Sequence, residues 1–232
     1  MPERLPKRLQ LYWPETKEAE EQTHVEQLFI LAVLDRETVC GYANKPTGPT
    51  GTGDWKPRHW SRYAGRADSH RFRRWTPSRK EYEGEMAKTL APGELVPDIC
   101  MPADGLGWGR GLMQLDWADP DNLAFFAEVL PDGTPAWQDA RRNILFGAEK
   151  LSRCIHAFDD TEAPEFFGAA AYNAGRDRVH EALRSVRASA DAQARRDAVD
   201  HITTGRNYAT DVLERRNQYR RALGTPKEPD HA

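Results

Sequence analysis

The chain has 232 residues, enough for one large domain or two small ones, and its 33 basic and 36 acidic residues leave a net charge of −3. That balance excludes both a polycation built for nucleic acid and an acidic tail protein. Hydrophobic residues make up 39%, with 7 Trp, 7 Tyr and 8 Phe, which excludes disorder throughout, and the longest apolar run, Leu28 to Leu34, is far short of the roughly 18 residues of a helical membrane span.

Residues 1–22 contain no apolar stretch of the kind a secretion signal uses and are read as an N-terminal arm. A strong helix is expected from about Thr23. Thr23 and Glu26 have the capping-box spacing, Val25, Leu28, Phe29, Ala32, Val33 and Arg36 follow a helical stripe, and Gly41 supplies the stop. Because Leu28–Leu34 is apolar nearly all round, this helix should be central, with Glu37 emerging from the core at its carboxyl end.

Residues 42–99 break the pattern with clustered Gly and Pro and are read as an insertion. From Trp55 to Lys80 nine basic residues face one acid, Asp68, interleaved with Trp60, Tyr63, Phe72 and Trp75. That stretch can attract an anion, yet without a recognised module it does not indicate nucleic acid. Ser78–Leu90 suits a helix. The segment DGLGWGRGLMQLD, residues 104–116, predicts a turn or short hairpin packed closely against a neighbour. Helical periodicity then resumes through Ile144, Ala148, Leu151 and Ile155, through Phe166–Tyr172, through Val179, Leu183 and Val186, and through Tyr208, Val212 and Tyr219. Ala188–Ala198 either extends the preceding helix or forms a solvated excursion, and 224–232 reads as a frayed tail. The fold is therefore expected to be mainly α.

Three pieces stand in a fixed order: the acid-ended helix ILAVLDRETVCG, the glycine-rich GLMQLD, and AYNAG followed by NYATDVLERRNQY. This order and wording resemble the goose-type lysozymes and the related soluble lytic transglycosylases, which cut the glycan of bacterial peptidoglycan. The resemblance covers roughly 23–41 and 104–223. It implies a lysozyme-like α+β domain over 23–223 with a small glycine-rich hairpin and a substrate cleft, interrupted by the Trp- and Arg-rich flap at 42–99.

On that resemblance Glu37 takes the general-acid position, and protonating a glycosidic oxygen near neutral pH requires a carboxyl whose charged form is disfavoured. Asp116 and Asp104 resemble the two further acids that position water in an inverting hydrolase, with Asp98 competing for the first of these places. The bland alternative makes each a turn aspartate. Gly111, Met113 and Gln114 resemble the strip lining the saccharide subsites, although Met more often fills a core. Tyr172, Asn173 and Tyr208 match positions near the acid and the cleaved sugar, where a phenol can orient the carboxyl and an amide can meet the sugar; the alternative for each tyrosine is helix packing.

Cys40 and Cys100 flank the insertion, so a disulfide between them would pin its base, while Cys154 reads as a buried thiol. No Cys or His spacing suits a metal, and neither a metal nor an organic cofactor is expected. The reading is a muramidase that hydrolyses the β-1,4 bond between N-acetylmuramic acid and N-acetylglucosamine. The alternatives are a lytic transglycosylase leaving 1,6-anhydromuramoyl ends, chitin as substrate, and a catalytically silent glycan-binding module. Expected partners are peptidoglycan strands and a proteinaceous inhibitor or immunity protein, with the chain acting as a monomer. The expected place of action is the periplasm or the bacterial wall, reached by lysis, an injection apparatus, a phage-type route or after loss of a leader.

Overall fold

A computed structural model describes residues 2–54, 106–186 and 191–224. The aromatic and arginine-rich stretch from Trp55 on, the helix expected at 78–90, Asp98, Cys100, Asp104 and residues beyond 224 lie outside them.

Helices α1 (Lys7–Gln10) and α2 (Trp13–Thr23) precede the long apolar helix α3 (Gln27–Thr38). The segment read as an arm is thus built into the core, where it buries Leu5, Leu9 and Ala19. It belongs there because α3 is apolar on every side and needs α2 to cover one of them. The expected capping box is corrected as well. Thr23 closes α2, its hydroxyl donating to the Ala19 carbonyl at 2.7 Å and accepting from the Val25 amide at 3.3 Å. The first amide of α3, on Gln27, donates instead to Glu20 of α2 at 3.0 Å, while Glu26 accepts two hydrogen bonds from Arg220 at 2.6 and 2.7 Å.

Helix α3 stops before Gly41. Val39 takes the left-handed cap (φ 50°), and Cys40 (φ 55°) and Gly41 (φ 88°) continue in that region. A left-handed β-branched residue costs on the order of 1–3 kcal/mol, and Thr38 holds the turn. Its hydroxyl accepts from the Gly41 amide at 2.9 Å and lies 3.0 Å from the Leu112 carbonyl. The chain thereby turns sharply just past Glu37 and is tied to the glycine-rich segment.

Three two-residue strands, β1 (Thr52–Gly53), β2 (Gly109–Arg110) and β3 (Leu115–Asp116), form an antiparallel sheet in that order. One register row runs Gly53, Gly109, Asp116 and the next Thr52, Arg110, Leu115. The expected hairpin is β2–β3, and β1 adds an edge from the start of the insertion.

Among the described residues the remaining α-helices are α4 (Leu123–Ala127), α5 (Ala140–His156), α6 (Pro164–Ala174), α7 (Arg176–Ser185), α8 (Ala192–His201) and α9 (Tyr208–Leu223). Asp191 caps α8 by accepting from the Ala194 amide at 2.8 Å, so the alanine-rich stretch forms a helix of its own. α5 packs on α2 and α6, and α9 packs on α3 and α6, which completes a mainly helical body with one small sheet. Among the described residues no helix is long and apolar enough to cross a membrane.

The α5–α6 contact depends on Gly168, where an added Cβ would lie 2.6–2.9 Å from Ile155, its backbone included. Gly168→Ala is expected to destabilise the protein by about 1–3 kcal/mol, read as a lower Tm in thermal unfolding.

Candidate active site

Six segments converge on one groove of about 1140 Å³, lined by Glu37 from α3, Asp54 beyond β1, Gln114 and Asp116 from the hairpin, Lys150 from α5, Tyr172 and Asn173 from α6, and Tyr208 from α9. Glu37 is half-buried in the last turn of α3. Burial disfavours its charge, and this outweighs the opposing hydrogen bond from Tyr208 and the positive charges of Arg36 and Lys150, so its pKa is pushed up to about 7. Tyr208, 2% exposed, donates its phenol to Glu37 Oε1 at 2.5 Å. A carboxyl here can hold a proton at neutral pH and point it in a fixed direction.

Asp35, two residues earlier on the same helix, is shifted the other way. Burial would raise it, but Arg8 at 2.7 Å, Tyr219 at 2.8 Å and Arg215 at 2.5 Å donate to its oxygens and hold it below its ordinary range. Asp35 therefore stays charged and anchors α3, while Glu37 faces the groove with one donor.

The hairpin lines the same groove. Gln114, with φ 47°, donates its amide to Asn44 Oδ1 at 3.1 Å and to the Gly111 carbonyl at 2.9 Å. Its Oε1 lies against Gly53 and Gly109, where an added Cβ would come within 2.2 Å. The paired glycines of β1 and β2 are thus required by the close approach of this amide. Asp116, opposite Gly109 in the sheet, lines the groove and also accepts from the Ala118 amide at 2.9 Å, so it serves as a turn aspartate too.

Two of the expected subsite residues lie inside the body. Met113 is fully buried, packed where an added Cβ on Gly147 would come 2.6 Å from it. Gly111 is also buried, at φ 67°, with no room for a side chain beside Asn143. Both sit beneath the groove wall because Asn143 draws the hairpin turn inward, accepting from the Met113 amide at 2.9 Å and donating to the Trp137 carbonyl at 3.1 Å. Tyr172 donates to the Met113 carbonyl at 2.7 Å and not to Glu37, so it ties α6 to the hairpin. Asn173 reaches the groove, its Oδ1 accepting from the Thr204 amide at 2.8 Å.

Cys40 is a buried free thiol near Asp35, and its suggested partner Cys100 lies outside the described residues, as does Asp104. Cys154 is a buried free thiol beneath the groove. No group of His, Cys, Asp and Glu among the described residues could hold a metal ion.

Sequence reasoning passed over Asp54, Lys150 and Asp119. Lys150 donates to Asp119 at 2.5 Å and sits over the Tyr172 ring, a pairing that no local spacing announces. Asp54 follows Gly53 in the GTGD of the punctuated segment, 17 positions after Glu37; its place next to a glycine strand was the available signal.

The raised pKa has a stability consequence. The folded state disfavours the charged form of Glu37, so its stability falls as pH rises from about 4.5, where unfolded Glu ionises, to about 7, where the folded carboxyl does. Glu37→Gln is expected to be more stable than the wild type at pH 8, by on the order of 1–3 kcal/mol, and to gain nothing at pH 4, as measured by urea unfolding at both pH values.

No curated protein matches the chain. Residues 101–195, which hold the hairpin and helices α5 to α7, match the family model described as the Transglycosylase SLT domain, and this supports a place for the chain in the lytic transglycosylase and lysozyme-like superfamily.

Proposed function

We propose that the protein is a peptidoglycan muramidase in which Glu37 is the general acid. The observation that carries this reading is the half-buried Glu37 carboxyl, with its pKa near 7 and its orientation fixed by Tyr208, opening on a groove that Gln114 and Asp116 also line. Glu37 gives its proton to the glycosidic oxygen as the bond from C1 of N-acetylmuramic acid to that oxygen breaks, and the N-acetylglucosamine leaves as an alcohol. In the hydrolytic course a water adds to C1 from the opposite face and passes its proton to an aspartate. Asp116 is the first candidate for that base, with Asp104 and, from its place in the groove, Asp54 beside it. Gln114 and Asn173 meet the sugar hydroxyls and the N-acetyl group.

The match to a transglycosylase domain favours a second course. There the 6-hydroxyl of the muramic acid adds to C1, leaving a 1,6-anhydro end, and Glu37 takes back a proton in place of a separate base. Action in the periplasm or on the wall, an antibacterial role and an inhibitor or immunity partner belong to the same proposal.

Glu37→Gln keeps the shape and removes the proton, so lysis of purified sacculi should fall by about 10²-fold or more. Activity of the wild type should decline as pH rises through about 7, where the acid loses its proton. Mass spectrometry of the released muropeptides separates the two courses. Hydrolysis gives reducing ends, and Asp116→Asn or Asp54→Asn then slows it at least tenfold. Anhydro ends with full activity in both variants would establish the transglycosylase course.

A further inference from the structure

The Glu37–Tyr208 contact depends on where α9 begins, and that helix is not capped by its own preceding residue: Asn207 makes no side-chain cap bond. The acceptors come from the end of α8 and the turn after it. Asp200, 6% exposed, accepts from the Ala209 amide at 2.9 Å on Oδ1, and on Oδ2 from the Thr210 amide at 3.2 Å and the Thr210 hydroxyl at 2.5 Å. The Thr203 hydroxyl accepts from the Tyr208 amide at 3.0 Å and donates to the Asp200 carbonyl at 2.7 Å. Three successive residues at the start of α9, Tyr208 first, are therefore held by one buried carboxylate and the threonine bonded to it. The same turn is fixed from the groove side, where Asn173 accepts from the Thr204 amide at 2.8 Å.

We propose that Asp200 is a positioning residue for the acid, fixing the first turn of α9 and through it the Tyr208 phenol that orients the Glu37 carboxyl. This rests on the assignment of Glu37 as general acid for its catalytic meaning, but not for its geometry. A helix start held by a carboxylate is stabilised by hydrogen bonds to a charged acceptor and by the positive end of the helix dipole. Here that gain is spent on the placement of one side chain, since Tyr208 is the first residue of the helix.

Among the described residues the groups facing Glu37 are Arg36 from its own helix, Lys150 from α5, Tyr172 from α6 and Tyr208 from α9. Arg36 is paired with Asp211 at 2.9 Å and Lys150 with Asp119 at 2.5 Å. Asp200 bonds to none of the groups that face the carboxyl and reaches Tyr208 only through the Thr203 hydroxyl and the Ala209 and Thr210 amides, and this gives the test a sign. Removing a nearby negative charge, by itself, makes Glu37 easier to ionise and lowers its pKa. Losing the Tyr208 donation makes it harder to ionise and raises the pKa, because that bond favours the carboxylate.

The experiment is a carbon-13 titration of the Glu37 carboxyl in the wild type, Asp200→Asn, Tyr208→Phe and the double variant, with kcat and KM on purified sacculi measured beside it. Asp200→Asn is expected to raise the titration midpoint by on the order of half a pH unit, about threefold in proton affinity. The shift should be absent when the same substitution is made in the Tyr208→Phe background, and kcat should fall more than KM rises. An unchanged or lowered midpoint, or an equal rise in the Tyr208→Phe background, overturns the proposal. Should Asp200→Asn fail to fold, Thr203→Val removes the acceptor of the Tyr208 amide and carries the same expectation. Full lytic activity in Glu37→Gln would overturn the proposed function instead, and the titration would still read the effect of Asp200.

Discussion

A single carboxyl kept away from bulk water organises this molecule. Glu37 sits where α3 leaves the core, close enough to apolar surroundings that its charge is disfavoured and open enough to face a groove. Only one donor touches it in the described structure, the phenol of Tyr208. With more donors the group would ionise and lose its proton, and without one its orientation would be loose. The balance between burial and that one bond sets a proton affinity near neutrality.

The contrast with Asp35 shows how finely position decides chemistry. The two acids lie within one turn of α3, and both are removed from water to some degree. Asp35 turns toward α1 and α9, where two arginines and Tyr219 surround it. Glu37 turns toward the hairpin, where its positive neighbours Arg36 and Lys150 are already paired with Asp211 and Asp119. The anchored aspartate ties the helix to the segments on either side, so the glutamate is presented from a fixed end. A buried charge that lost a partner would cost about 3–5 kcal/mol, which explains why the anchor has three donors.

The hairpin side of the groove is held by amides and hydroxyls from three helices. Asn143, Thr38 and Tyr172 each bond to backbone of the hairpin turn between Arg110 and Gln114. They reach it from α5, α3 and α6 respectively, so the strip facing the groove is fixed by the three helices that frame it. Gly111 and Met113 serve as the foundation of this rigid strip, and half-buried Gln114 and Asp116 are left to line the groove.

The helical class, the central apolar helix, the glycine hairpin and the residues Glu37, Gln114, Asp116, Asn173 and Tyr208 were legible in the sequence, because periodicity and motif wording are local properties of the chain. The start of α3 was not, since the acceptor for its first amide belongs to Glu20 on another helix, and neither was the packing of the first 22 residues, whose polar composition hides Leu5, Leu9 and Ala19. The wall roles of Asp54 and Lys150, and the inward turn of Gly111 and Met113, depend on which segments meet across the groove. Composition and local spacing already marked which side chains could do acid chemistry and on what kind of element each rides. Which carboxyl holds a proton near neutral pH, and which phenol orients it, came from the packed fold, because desolvation and hydrogen bonding are set by neighbours distant in the chain.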